Sequence, residues 1–161
     1  DILPNWVSYL GSNILILKGI WQMFDCTMLQ GSLSPLLKEF LLFSVSINNV
    51  APYCTEYHAS NILQGNQILD YHELVRLIDG DSQGELPESY FTAIYVITKH
   101  SNACCIMPEK DKAKLINAGF TKNEIIELTG VCSLALALNS LTMGGCIPID
   151  DTHKVDGFHI P

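Results

Sequence analysis

The sequence predicts an all-α protein, and two observations carry that prediction. Signals that start and end helices recur along the 161 residues, with prolines placed to open helices and glycines placed to close them. Apolar and polar residues do not alternate over any length that would suit a half-buried β-strand. The length suits one domain, and we expect residues 1–161 to form it.

The first half of the chain is predicted to form four or five helices. Ser34 is a capping residue directly before Pro35, a proline that fits the first position of a helix. Pro52 opens another helix in the same way, and Gly65 closes it. The predicted helices cover residues 7–29 (one or two helices broken near Gly11), 35–47, 52–64 and 66–79, and a polar loop covers 81–85.

The second half is predicted to contain three helices, at about 87–101, 108–119 and 125–143. Thr121 and Glu124 have the spacing of a capping box, in which each side chain binds the other residue's backbone amide. The uncharged run 131–149 is long enough to raise the question of a membrane span. Its polar residues and the pair Gly144-Gly145 favour a buried core helix that ends at the glycines.

Composition and charge exclude several classes of function. A net charge of -8 argues against nucleic acid and anionic membranes as partners, because both need a basic surface. A hydrophobic content of 48% excludes intrinsic disorder and predicts an oligomer that buries the excess apolar surface. The six cysteines have neither metal-site spacing nor the density of a disulfide scaffold, and no secretory signal is visible, which favours a reducing, cytoplasmic location.

One segment has the residue types and spacing of a reactive site. Cys54 is expected at the third position of the helix that Pro52 opens, where free backbone amides and the helix dipole favour a thiolate and lower the thiol pKa. His58 follows four residues later on the same face, where it can take or relay the thiol proton. The pair is therefore a candidate nucleophile and base.

Glu39 is expected to lie close to His58, because the two helices form a hairpin. The break between the two helices lies near residue 49 or 50, so Glu39 and His58 are about equally far from it and come level. A carboxylate beside the imidazole would orient the ring. Each of the three residues alone has an ordinary structural explanation, and a zinc site needs more ligands than Cys54 and His58 supply. His72, His100, His153 and His159 have no evident partner at an informative spacing, so we interpret them as surface histidines or as core histidines with satisfied hydrogen bonds.

The pattern of Glu39, Cys54 and His58 resembles the motif of the carboxymuconolactone decarboxylase and alkyl hydroperoxidase D superfamily, E-x11-C-x-x-C-x-x-x-H. Residues 33–39 are similar to the lead-in of that family, and residues 118–126 with Asn139 are similar to its closing segment. The resemblance covers about residues 30–145, preceded by a helical extension over 1–30. It implies an alkyl hydroperoxidase D-like helical fold with an active-site hairpin, assembled as a trimer or hexamer.

Ala51 stands where the peroxidase branch of this family has its first cysteine. In that branch two cysteines cycle between dithiol and disulfide while a peroxide is reduced, and the glutamate and histidine relay protons. Ala51 cannot form that disulfide, so the resemblance leaves three functions open.

The first function is a one-cysteine peroxidase. In it Cys54 attacks the peroxide and an unidentified thiol, external or one of the other five cysteines, restores it. The second is a lactone decarboxylase that uses Glu39 and His58 for acid–base chemistry, although Lys38 is the nearest cation for a substrate carboxylate. The third is an inactive oligomeric protein that keeps the fold. The partners expected are a peroxide or lactone and a thiol reductant, with no bound cofactor or metal. The surfaces expected between subunits are the helix after Ile125 and residues 14–23.

Overall fold

The computed structural model describes residues 3–65, 70–78, 86–101 and 107–159. Within those ranges the chain is helical and contains no β-strand, which confirms the predicted all-α class. A π-helical turn, Asp25–Leu29, extends the second helix, and a 3₁₀ turn, Asp151–His153, lies near the end. The helices are α1 (Asn5–Leu10), α2 (Ile14–Phe24), α3 (Pro35–Asn48), α4 (Pro52–Gly65), α5 (Tyr71–Ile78), α6 (Glu88–Ser101), α7 (Glu109–Asn117) and α8 (Lys122–Gly144).

The helix starts that the sequence predicted from capping residues are confirmed. Ser34 accepts a hydrogen bond from the backbone N–H of Leu37 at 3.1 Å, and Thr121 and Glu124 form the complete capping box. The helix predicted over 66–79 begins at Tyr71 in the described part of the chain. Residues 66–69 and 79–80 of that prediction, and the loop predicted at 81–85, lie outside the described residues.

Helix α3 forms the centre of the molecule and packs against α4, α6 and α8. Its residues from Leu37 to Ser46 are all buried except Glu39. A helix surrounded in this way needs apolar side chains on nearly every face, and α3 has them. The partial exposure of Glu39 on an otherwise buried helix therefore marks the place where the core opens toward a site.

The turn between α3 and α4 fixes the start of the helix that carries Cys54. The N–H of Val50 binds the carbonyl of Ile47 at 2.9 Å, and the N–H of Ala51 binds the carbonyl of Ser46 at 3.0 Å. This is the Schellman arrangement that ends many helices, and it places Val50 at φ 53. A β-branched residue is rarely found at a positive φ, so the turn before α4 is strained.

Helix α8 is the long apolar helix that the sequence predicted, and it ends at the glycine pair. Among the described residues it is the one helix long and apolar enough to cross a membrane by length and composition, a test that a buried core helix also passes. Leu128, Val131 and Leu134 on its inner face are buried completely against the other helices. Its other face is more open, since Ile126 is 69% exposed.

The chain after α8 folds back over α4. Asp150 accepts hydrogen bonds from the hydroxyl of Tyr53 at 2.5 Å and from the backbone N–H of Asn5 at 2.8 Å. One turn further along α4, Glu56 accepts a hydrogen bond from the N–H of Val155 at 2.9 Å. The carboxyl-terminal segment therefore covers the outer side of the helix that carries Cys54 and His58.

Candidate functional site

Glu39 and His58 lie side by side across the α3–α4 hairpin, as the spacing predicted. Oε2 of Glu39 is 2.8 Å from Nδ1 of His58, and the side-chain amide of Asn61 donates to the same oxygen at 3.2 Å. Burial alone would raise the pKa of Glu39, but His58 and Asn61 stabilise the carboxylate enough to lower it below its usual value. Glu39 is thus held as an anion that orients the imidazole ring.

Cys54 and His58 face a common cavity, which supports their predicted position on one side of α4. Cys54 is the third residue of α4, also as predicted. The cavity has a volume of about 20 Å³, enough for about one water molecule. Its remaining lining consists of four aromatic side chains, Trp6, Phe24, Tyr53 and Tyr57, together with Leu138 and Thr142 of α8.

The structure contradicts the prediction that the thiol pKa of Cys54 is lowered. Cys54 is only 4% exposed, and this burial raises its pKa to about 11, because an apolar enclosure disfavours the thiolate. Cys54 does lie at the start of α4, as predicted. The sequence did not show how deeply the packing of α3, α4 and α8 buries that position. Cys54 is therefore a protonated thiol at neutral pH.

Thr142 is the hydrogen-bond partner of Cys54, and the sequence analysis missed it. Its Oγ1 is 3.5 Å from Sγ of Cys54, and this contact opposes the rise of the thiol pKa. The same hydroxyl is 2.8 Å from the carbonyl oxygen of Leu138, to which it donates. Thr142 can therefore donate to a thiolate only by turning its proton away from that carbonyl. A single threonine in an apolar helix gave no signal of this role.

Tyr57, which lines the cavity, stacks on His153, another feature that the sequence analysis missed. Their rings stack with centroids 4.0 Å apart and planes inclined by 11°. Tyr57 also meets the ring of His58 edge-on at 5.5 Å. No spacing in the sequence indicated this partner of His153, because the contact joins α4 to a segment almost a hundred residues later. In the sequence, the segment that carries His153 is marked only by Asp150 and Asp151, two acidic residues that follow a long uncharged run.

His100 is a largely buried histidine with a satisfied hydrogen bond, the ordinary structural role that the sequence left open for it. Nε2 of His100 is 3.1 Å from Oδ2 of Asp111, a fully buried carboxylate that also binds Lys99 at 2.9 Å. Hydrogen bonds from its neighbours hold the pKa of Asp111 well below its usual range, the one from Lys99 most of all. The cluster joins α6 to α7 and does not line the cavity of Cys54.

The site contains few groups for binding a charged molecule or a metal. None of the residues lining the cavity of Cys54 is a lysine or arginine. Lys38, the cation nearest in sequence, is 2% exposed and forms an ion pair with Glu127 at 2.8 Å. Among the described residues, no group of three or more His, Cys, Asp or Glu side chains is placed to hold a metal ion.

Comparison with known proteins identifies the fold. No family model and no curated protein matches the sequence. A crystal structure of an uncharacterized peroxidase-related protein from Silicibacter sp. TM1040 matches with a TM-score of 0.81 and 20% identity, over 94% of this chain and 79% of that one. A peroxidase-related protein from Ralstonia eutropha JMP134, an alkylhydroperoxidase AhpD core, matches with a TM-score of 0.81 and 17% identity, over 94% and 80%.

A third solved structure has the same fold and a different activity. It is a cysteine-to-alanine variant of the debrominase Bmp8 in complex with 2,3,4-tribromopyrrole, and it matches with a TM-score of 0.76 and 16% identity, over 94% of this chain and 79% of that one. These likenesses define the class: the chain has an alkyl hydroperoxidase D-like fold. The fold that the motif of Glu39, Cys54 and His58 implied is thereby confirmed.

Proposed function

We propose that this protein reduces hydroperoxides through Cys54, with His58 and Glu39 moving the protons. The observation that carries the proposal is the arrangement of the three side chains: the thiol and the imidazole face one cavity, and the carboxylate holds the far side of the imidazole at 2.8 Å. The peroxidase-related proteins of the same fold support it. The missing motif cysteine at position 51 makes Cys54 the nucleophile of a one-cysteine reaction.

Cys54 in this proposal is activated when it reacts, rather than ionised beforehand. A thiol with a pKa of about 11 has very little thiolate at neutral pH, so it needs a base at hand. Nδ1 of His58 is engaged by Glu39, which leaves Nε2 to accept the thiol proton. The imidazolium that forms is stabilised by the Glu39 carboxylate, whose lowered pKa keeps it charged.

The reaction then balances without any bound cofactor. The sulfur of Cys54 attacks one peroxide oxygen, the O–O bond breaks, and a sulfenic acid forms on Cys54 while the peroxide loses an alkoxide or hydroxide. His58 returns the proton to that leaving oxygen, which departs as an alcohol or water. Two equivalents of a thiol reductant restore the Cys54 thiol and form a disulfide of their own.

The small size of the cavity makes entry of the peroxide a separate step. A space of about 20 Å³ holds about one water, so any peroxide, including hydrogen peroxide, requires the surrounding side chains to move. The stacked rings of Tyr57 and His153 are only partly buried, and Tyr57 lines the cavity. We propose that their separation admits the substrate.

Lactone decarboxylation and an inactive fold remain the competing functions, and nothing in the site favours the first. A carboxylated lactone needs a cation in the pocket, whereas the lining of the Cys54 cavity has none. Lactone turnover that survives Cys54→Ser would establish acid–base chemistry by Glu39 and His58. Absence of both activities, with unchanged stability of Cys54→Ala, would establish a structural role for the three residues.

Peroxide consumption by purified variants tests the proposal. The wild type, Cys54→Ser, His58→Gln and Cys26→Ser are compared with a hydroperoxide and an excess of a small thiol. Cys26 is exposed and does not line the Cys54 cavity, so Cys26→Ser is the matched control. We expect no activity from Cys54→Ser, a loss of about 10²-fold or more from His58→Gln, and wild-type activity from Cys26→Ser. Equal rates for wild type and Cys54→Ser would refute the proposal.

A further inference from the structure

We propose that Cys146 is the thiol that resolves the oxidised form of Cys54, an inference that rests on the proposed peroxidase function. The motif's first cysteine is replaced by Ala51, so a sulfenic acid on Cys54 needs another thiol. Cys146 follows the end of α8 and is exposed, which allows it to react and to be reduced again. Two structural features connect the surroundings of Cys146 with those of Cys54, and a third concerns the backbone of Cys146.

The first feature is a wall shared by two cavities. Cys146 lines a pocket of about 350 Å³ together with Pro52, Tyr53 and Thr142. Tyr53 and Thr142 also line the small cavity that holds Cys54. These two side chains therefore separate the pocket of Cys146 from the cavity of Cys54.

The second feature is the sequence position of the residues that lie between the two cysteines. In α4 they directly precede Cys54, and in α8 they come shortly before Cys146. Pro52 and Tyr53, which line the Cys146 pocket, directly precede Cys54 in α4. On the other side, Thr142 lies 3.5 Å from Sγ of Cys54 and four residues before Cys146. Cys146 itself lies just beyond the end of α8, in the turn that closes the helix after Thr142.

The third feature is the backbone of Cys146. Its N–H binds the carbonyl of Met143 at 3.1 Å, and the N–H of Ile147 binds the carbonyl of Thr142 at 3.0 Å. This is a Schellman end, with Cys146 at φ 48 in the position that usually belongs to glycine. A side chain there costs about 1 kcal/mol. The only other described non-glycine residue with positive φ is Val50, in the turn before α4, so both strained positions flank the Cys54 site.

The other cysteines of the described ranges are less well placed. Cys132 lies ten residues before Thr142 on α8, which is about 15 Å along the helix axis. Cys26 lies in the π-helical turn and lines neither the Cys54 cavity nor the Cys146 pocket. Cys104 and Cys105 lie outside the described residues. Mapping of the disulfides by mass spectrometry would detect a bond from Cys54 to either of them.

The resolving step conserves atoms and electrons. The sulfur of Cys146 attacks the sulfur of the Cys54 sulfenic acid, an S–S bond forms, the S–O bond breaks, and water leaves with the thiol proton. A disulfide needs the two Cα atoms within about 7 Å of each other. Gly144 and Gly145 precede Cys146 and allow the end of α8 to adjust to that distance. Two external thiols then reduce the disulfide.

Mapping of disulfides and trapping of sulfenic acid test the assignment. Full-length wild type, Cys146→Ser, Cys146→Gly and Cys26→Ser are treated with one equivalent of hydroperoxide, with or without dimedone, and their peptides are analysed by mass spectrometry. Cys146→Gly suits the left-handed backbone and keeps the experiment available if the serine variant folds poorly. Cys26→Ser is the control for loss of an exposed thiol.

We expect a Cys54–Cys146 disulfide in wild type and Cys26→Ser. In both Cys146 variants the Cys54 sulfenic acid should persist at least about tenfold longer, because an intramolecular thiol acts at a millimolar effective concentration. Equal lifetimes, or a disulfide from Cys54 to any other cysteine or to a second molecule, overturn the role of Cys146 and leave the peroxidase proposal intact. Absence of any sulfenic acid or disulfide at Cys54 overturns both.

Discussion

The reactivity of Cys54 is controlled by burial. Its helix-start position favours the thiolate, yet the enclosure by α8 and by four aromatic side chains raises its pKa to about 11. A low-pKa cysteine would react with any electrophile, whereas a protonated one reacts only where a base accepts its proton. Cys54 therefore depends on His58 more strongly than the motif alone suggests.

Alkylation of Cys54 should show this raised pKa directly. With a pKa of about 11 only about one thiol in 10,000 is ionised at pH 7, and the ionised fraction grows about tenfold for each unit up to pH 9. We expect the alkylation rate of Cys54 to rise in the same proportion without a plateau. The control is the chain unfolded in denaturant, where the rate should level off near the usual thiol pKa. A plateau below pH 8 in the folded protein would contradict this account.

Glu39 should make stability fall in acid. Its pKa is lowered in the folded protein, so the carboxylate stabilises the fold above its unfolded pKa, and this contribution disappears as the pH falls through the folded value. We expect Glu39→Gln to lower the free energy of unfolding by about 1–2 kcal/mol at pH 7 and by much less near pH 3. Urea unfolding of both proteins across this range measures the difference. A difference independent of pH would show that Glu39 does not interact as a charge.

At the scale of elements, Glu127 of α8 holds the turn that precedes α3. Its carboxylate accepts hydrogen bonds from the N–H groups of Ser32 at 2.9 Å and Leu33 at 3.2 Å, and it pairs with Lys38. Lys38 also donates to the carbonyl of Gln30. Burial alone would raise the pKa of Glu127, but these donors lower it, so the group stays charged.

Gly31→Ala should break this junction. Gly31 has φ 93, and a Cβ atom there would lie 2.2 Å from Oε1 of Glu127. The substitution therefore strains the backbone and displaces the carboxylate, and we expect a loss of about 2 kcal/mol or more in the free energy of unfolding. Gly19→Ala in α2 is the control, because a Cβ there meets nothing within 4 Å and favours the helix. Equal stability of the two variants would contradict the role assigned to Glu127.

The elements show what could be predicted from sequence. Ser34 and Thr121 cap their helices through residues three positions away, and such local signals are visible in a single chain. The pairing of Glu39 with His58 was predicted because the two residues lie about equally many positions from the turn of the helical hairpin. Thr142 and His153 were missed, since their contacts join segments about ninety residues apart and leave no local pattern.

At the scale of the whole molecule, the second helix, α2, has an exposed apolar surface. Leu15 is 77% exposed, Ile14 is 55% exposed and Trp21 is 48% exposed, all on one short helix. Such a patch is unusual on a monomer. The resemblance of the motif implies a trimer or hexamer, and we propose that α2 contributes to its contacts.

Sedimentation equilibrium tests this assembly. We expect the wild type to sediment as a trimer or hexamer at micromolar concentration, and Leu15→Glu to shift the distribution toward smaller species, because a charge cannot be buried in that contact without a partner. Lys110→Glu is the control, because it adds the same acidic side chain at an exposed position on α7, away from α2. A wild-type monomer would refute the proposed interface.

The most direct test of the peroxidase account is a single-turnover measurement on Cys54. The reduced protein is mixed with one equivalent of hydroperoxide, and the Cys54-containing peptide is followed by mass spectrometry at successive times. The account predicts that oxygen from the peroxide is added to the Cys54 sulfur, that this oxidation is slowed about 10²-fold or more in His58→Gln, and that thiol reverses it. An unoxidised Cys54 after the peroxide has been consumed would contradict the account.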